Sequence, residues 1–203
     1  MARLTVFQMH MAHAISLAFG LKAALATEKE LPPRRFPLYA WREPRNLKRQ
    51  RTNGIYILAP VTTADDWRAM HDIRRAVLFK PDRHSASYDE NHADDRLEGN
   101  TPFLLFDDRV PIGVVRLDQR GEVGIVRLVA IVKDKQRLGH GRRLNGLLEA
   151  EAKNRGIRLL RVNAAPDAVG FYLKAGWSQH DWDISELVGL ARNAVQMEKM
   201  ISD

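Results

Sequence analysis

The 203 residues include no cysteine. That absence excludes a disulfide framework, a thiolate nucleophile and a zinc–thiolate site, and it fits a reducing compartment. No glycine-rich loop is followed by Gly-Lys-Ser or Gly-Lys-Thr, so a P-loop is excluded. A clean membrane span is also missing. Residues 4–26 are mostly apolar, but Gln8, His10 and His13 interrupt the run. The same stretch has the outline of a secretory signal, with Arg3 ahead of it and Ala24-Leu25-Ala26 as a cleavage site. Lys22, just before that site, argues against it. The expectation is a cytoplasmic protein with no membrane partner.

Acidic residues are scarce in one region only. Residues 1–54 hold ten lysines and arginines against Glu28, Glu30 and Glu43, which accounts for the whole net charge of +7. Residues 55–203 hold 22 bases and 22 acids and are neutral. Pro32, Pro33, Pro37 and Pro44 stand among the arginines of residues 31–54, a composition poor in core-forming side chains. Two parts are therefore expected: a basic, Pro-rich extension at 1–54 and one domain at 55–203. The extension holds Phe36, Tyr39 and Trp41 but no nucleic-acid recognition module. A nucleic-acid-associated protein using this arm stays as an alternative reading.

From residue 55 the pattern is that of a folded domain. "IYILAPV" reads as a strand. "TADDWRAMHDIRRAVLF" reads as a helix with Thr63 as N-cap, and Trp67, Met70, Ile73, Val77 and Leu78 recur on its core side. "PFLLFDD", "IGVVRLDQ" and "GEVGIVRLVAIV" are three strands. Turn residues at Asp108-Arg109 and Gly121-Glu122 predict an antiparallel meander. A helix over about 139–155 stops at Gly156, with Leu144, Leu147 and Leu148 as its apolar stripe. "IRLLRVNA" is a strand, "DAVGFYLKAG" a short helix capped by Asp167, and "AVQMEKMI" a last strand. This order predicts an α/β fold, a mixed sheet flanked by helices.

The chemistry concentrates between the third strand of the meander and the helix after it, at "QRLGHG", residues 136–141. Glycines let backbone N–H groups converge without Cβ obstruction. The first N–H groups of a helix lack internal partners and carry partial positive charge. Together they make an anion site suited to a pyrophosphate, with Arg137, Arg142 and Arg143 adding full charges and His140 a further donor. A dinucleotide fingerprint would need a third glycine where Leu144 stands. By itself the hexad also reads as a glycine-rich turn with solvated arginines.

Gln136-x-x-Gly139-x-Gly141 resembles the acyl-CoA loop of the GNAT N-acetyltransferase superfamily. The resemblance continues in the apolar run Leu128-Val129-Ala130-Ile131 before the loop, in Asn163 at the end of the next strand, and in Phe171-Tyr172 ahead of Gly176-Trp177. It spans about residues 55–203 and implies a GNAT-like fold with a central, mostly antiparallel sheet. It implies acyl-CoA-dependent N-acyltransfer, most simply of acetyl from acetyl-CoA as co-substrate to a primary amine of a small molecule or peptide. By the same resemblance Val129, Ala130 and Ile131 hold the pantetheine arm through main-chain bonds. Gln136, Arg137, Leu138, Gly139, His140, Gly141 and Arg142 form the pyrophosphate grip, Asn163 bonds the cofactor or the following helix, and Tyr172 is the general acid toward the leaving sulfur. An attacking amine must lose a proton; Glu90, Asp94, Asp95, Glu122 and water relayed to backbone groups are the candidate bases. The octet "YDENHADD" lacks both a histidine pair at i, i+4 and an oxygen-cage spacing, so no metal is expected. Its acids could instead attract a cationic amine. An acyl-CoA-binding protein without catalysis remains a third reading, and a homodimer is left open.

Overall fold

A computed structural model describes residues 54–79 and 88–201 of the chain. The basic arm, up to residue 53, and residues 80–87 of the polar loop lie outside the described residues. Among the described residues, seven strands form one sheet: β1 (Tyr56–Pro60), β2 (Asn100–Asp107), β3 (Val110–Arg120), β4 (Val123–Ile131), β5 (Leu159–Ala164), β6 (Ser178–Gln179) and β7 (Val195–Met200). Their spatial order is β1-β2-β3-β4-β5-β7-β6. Of these neighbours only β4 and β5 run parallel; the others are antiparallel. The helices are α1 (Ala64–Val77), α2 (His140–Asn154) and α3 (Val169–Lys174). None of them is long and apolar enough to cross a membrane.

Helix α1 starts where the sequence places it. The Thr63 side chain accepts from the Asp66 N–H at 3.2 Å, and the Asp66 carboxylate accepts from the Thr63 N–H at 2.9 Å. This reciprocal capping box stabilises the start by about 1 kcal/mol. Met70 and Ile73 are buried against Leu104, Val114 and Ala130 on one face of the sheet, while Trp67, Val77 and Leu78 pack at the margin. Burying a side chain such as Met70 contributes about 1.5–3 kcal/mol. The opposite face takes α2 and α3. Leu144 and Leu148 are buried there with Leu117, Val126, Leu160 and Val162, and Leu147 packs alongside.

The β2–β3 turn is made by Asp108 at φ 47° and Arg109 at φ 71°, two successive left-handed residues as a tight hairpin requires. α2 ends with Gly156 at φ 73°, where a side chain would be strained. One expectation is corrected. Asp167 does not cap α3: a single 3-10 turn at Pro166–Ala168 runs straight into the helix, with Ala168 ahead of it and no side-chain cap. The strand β6 escapes a reading of the sequence, because two residues carry no periodicity.

Candidate active site

The centre of the sheet opens. β4 and β5 pair only from Val123↔Leu159 to Val126↔Val162. Beyond that point β4 continues against β3 as far as Ile131↔Gly113, and β5 continues against β7 as far as Ala164↔Val195. The gap therefore lies at the carboxyl ends of two parallel strands, the position favoured for ligands in such sheets. A bulge coincides with it. Leu128 and Val129 together oppose the single residue Val115, and Leu128 sits at φ 52°. A left-handed non-glycine residue costs about 1–2 kcal/mol, a strain that tends to collect at functional positions.

The ladder decides which backbone groups face the gap. The Val132 N–H donates to the Ile112 carbonyl at 2.9 Å. Antiparallel alternation then directs the N–H and C=O of Ala130 toward Val114 on β3, and turns those of Val129 and Ile131 the other way. Of the run Val129-Ala130-Ile131, Ala130 is thus committed to β3, and Val129 and Ile131 present main-chain groups to the gap. The Ile131 carbonyl is already taken by Gln136 Nε2 at 2.8 Å. Gln136 braces the loop against the end of β4.

After a 3-10 turn at Lys133–Lys135 the chain reaches the mouth of α2. Gly139 precedes the helix at φ 95°, without a side-chain cap and without an acid in the first turn. The earliest helical bond is Arg143 N–H to the Gly139 carbonyl at 3.2 Å. The N–H groups of His140, Gly141 and Arg142 consequently have no helical partner. Arg137, Leu138 and Arg142 are exposed around this mouth. The His140 side chain does not join them. It is buried, with Nδ1 3.0 Å from the Tyr56 hydroxyl on β1, so it offers the mouth only its backbone. Gly141 lies against Phe171: a Cβ there would stand 3.4 Å from the ring.

Tyr172 on α3 is 5% exposed and packs edge-on to Phe171 and Trp177, with ring centroids 5.1 and 5.2 Å away. Burial pushes its phenol well above the ordinary value, so it keeps its proton across the neutral range. Asn163, the first residue of β5 beyond the last β4 pair, accepts from Gln196 Nε2 at 3.0 Å, while its own Nδ2 is buried without a partner.

The candidate bases are scattered. Glu90 is ion-paired with Arg75 and lines a cavity of about 520 Å³ with Ala64, Trp67, Arg68, His71 and Arg96. None of these residues belongs to β4, β5 or the 132–141 loop. Glu122 lies 3.6 Å from Arg158 at the opposite end of β4 from the loop. Asp95 is buried between Arg74 Nη1 (2.5 Å) and Arg116 Nη1 (3.1 Å), and Asp94 lies 3.6 Å from Arg116. These acids lead into an ionic ladder that sequence reasoning misses. Arg116 also holds Asp118 at 2.8 Å, Asp118 holds Arg127 at 2.8 Å, and Arg127 holds Glu186 at 2.7 Å. A signal exists: Arg116 and Asp118 alternate within the apolar β3, so both point to the same face. Gln196 is missed as well, for it is one polar residue in a half-polar strand.

A profile of the Acetyltransferase (GNAT) domain family matches residues 79–199. A Bacillus subtilis (strain 168) protein named "Putative acetyltransferase" is 29% identical over 118 residues, 58% of this chain and 80% of its own. Among solved structures, the Escherichia coli ribosomal-protein-S18-alanine N-acetyltransferase superposes with TM-score 0.56 at 18% identity, covering 73% of this chain and 96% of its own. The PaiA N-acetyltransferase of Thermoplasma acidophilum, solved in complex with coenzyme A, superposes with TM-score 0.53 at 16% identity, covering 72% and 99%. The opened sheet, the uncapped helix mouth beside it and a family match over more than half of the sequence agree, and the chain belongs to the GNAT acetyltransferase family.

Proposed function

We propose that residues 55–203 form an acyl-CoA-dependent N-acyltransferase that moves acetyl from acetyl-CoA to the primary amine of a small molecule or peptide. The observation that carries this reading is the parting of β4 from β5 directly beside the α2 mouth. It offers one continuous track, main-chain groups followed by a cluster of free N–H groups, for a ligand with an amide-bearing arm and a pyrophosphate. The coenzyme A held by the Thermoplasma neighbour and the N-acetyl transfer named for the Escherichia coli neighbour support it.

In this reading the N–H groups of His140, Gly141 and Arg142, with the Arg137 and Arg142 guanidiniums, take the pyrophosphate. Val129 N–H and C=O and Ile131 N–H take the amides of the pantetheine arm. Leu138 covers the loop, and Gln136 holds it in place. The co-substrate supplies an activated thioester. Tyr172, kept protonated by burial, donates to the departing sulfur. Glu90 lies with Arg75 and lines a cavity of α1 residues and Arg96, so the amine proton is assigned to water relayed to backbone groups at the gap. The test is release of free CoA thiol from acetyl-CoA against a panel of amines. Tight acetyl-CoA binding without turnover on any amine would replace this reading with a non-catalytic acyl-CoA-binding protein.

A further inference from the structure

Gln196 on β7 is 1% exposed, and its side chain makes four hydrogen bonds. Its Oε1 accepts from the backbone N–H groups of Trp182 and Asp183, both at 2.9 Å. Its Nε2 donates to the Asp183 carbonyl at 2.7 Å and to Asn163 Oδ1 at 3.0 Å. The orientation of this amide follows from its partners. Backbone N–H groups can only donate, so the atom facing them is the oxygen; a carbonyl can only accept, so the atom facing Asp183 O is the nitrogen. The Asn163 atom in contact with Gln196 Nε2 must then be Oδ1. Asn163 Nδ2 is left as a buried donor without a partner. A second buried donor without a partner, Trp182 Nε1, belongs to the segment that Gln196 suspends. Unpartnered buried donors are costly, and an oxygen acceptor from a ligand relieves that cost.

We propose that Gln196 is a positioning residue: it locks the Asn163 amide with its NH2 directed to the β4 side of β5, ready to donate to a carbonyl oxygen of the acyl-CoA arm, and hangs the Trp182–Asp183 backbone on the same amide. Asn163 is the residue at which β5 has just parted from β4, so its side chain stands on β5 at the edge of the gap. Gln196 itself touches no ligand. The inference rests on the acyltransferase reading above, and it adds the polarity of the contact: the ligand atom at Asn163 is an acceptor.

The experiment measures acetyl-CoA affinity by titration calorimetry on the full chain, with thermal melting of each variant alongside. Gln196→Glu keeps an oxygen toward the Trp182 and Asp183 N–H groups but cannot donate to Asn163, whose amide must then turn its NH2 toward residue 196. Affinity for acetyl-CoA should fall about tenfold. Asn163→Ala should fall by a similar factor, and adding Gln196→Glu to Asn163→Ala should change affinity by less than about twofold, because the donor that Gln196 orients is already gone. Asn163→Asp, which still accepts from Gln196 but has no outward donor, should repeat the loss and serves as the variant should Gln196→Glu not fold. Gln196→Glu affinity equal to wild type, or losses that multiply to about a hundredfold in the double variant, would overturn the positioning role. A wild-type chain that binds no acetyl-CoA would instead overturn the acyltransferase reading, and this assignment with it.

Discussion

The ionic ladder gives a prediction whose size can be worked from the structure. Asp95 is the joint between Arg74 on α1 and Arg116 on β3, and all three are buried. Replacing Asp95 by alanine affects the two guanidiniums unequally. Arg116 keeps Asp118 through two bonds at 2.8 and 3.1 Å. Arg74, only 1% exposed, loses its carboxylate, and its Nε and Nη2 already lack partners. One buried charge is stranded, not two. Removing one partner of a buried pair costs about 3–5 kcal/mol, so the urea midpoint should shift by that amount divided by the m-value. The pH dependence has a definite sign. Burial opposes ionisation of Asp95, but the hydrogen bonds and charges of Arg74 and Arg116 outweigh it and hold its carboxyl below the ordinary 3.8. A carboxyl depressed in the folded state contributes stability that is complete above its unfolded value and is lost as pH falls through the folded one. The difference between wild type and Asp95→Ala should therefore be flat from neutral pH to about pH 5 and close only in stronger acid. A loss under about 1 kcal/mol at pH 7 would refute the reasoning, because it would mean that Arg74 finds water or another acceptor.

Other outcomes follow from the site. Tyr172→Phe keeps the packing on Phe171 and Trp177, so melting and acetyl-CoA affinity should hold while turnover falls at least about tenfold; unchanged turnover in the thiol-release assay removes Tyr172 as the acid. Gly139→Ala finds open space for its Cβ, but φ of 95° strains it. It should lower stability by about 1–2 kcal/mol in urea melts and weaken acetyl-CoA binding more than amine binding. Gln136→Ala releases the Ile131 carbonyl, and calorimetry should show a several-fold loss of acetyl-CoA affinity, of order 1 kcal/mol. The intact chain should show no salt-sensitive binding to nucleic acid; binding with a log–log salt slope of several would make the basic arm a phosphate contact.

Local chemistry is legible along the chain. The Thr63 cap, the apolar runs of β2 to β4 with turn residues between them, the Gly156 stop and the glycines of the α2 mouth each follow from residues a few positions apart, because caps, turns and short apolar runs are local effects. The resemblance carried by Gln136, Gly139, Gly141, Asn163 and Tyr172 is legible for the same reason: it is a pattern of residue types at fixed spacings. Only the folded sheet decides the rest. The sequence of β4 does not say where it leaves β5, since that depends on a partner strand more than thirty residues away. Periodicity cannot show a bulge at Leu128, nor that Ala130 faces β3 while Val129 and Ile131 face the gap. His140, read as a donor to an anion, turns inward because Tyr56 waits on a strand 84 positions earlier. Glu90, singled out by its charge, is drawn to Arg75, while Asp95 is buried between Arg74 and Arg116. Charge alone cannot distinguish these acids, for what separates them is which guanidinium the tertiary fold brings within reach.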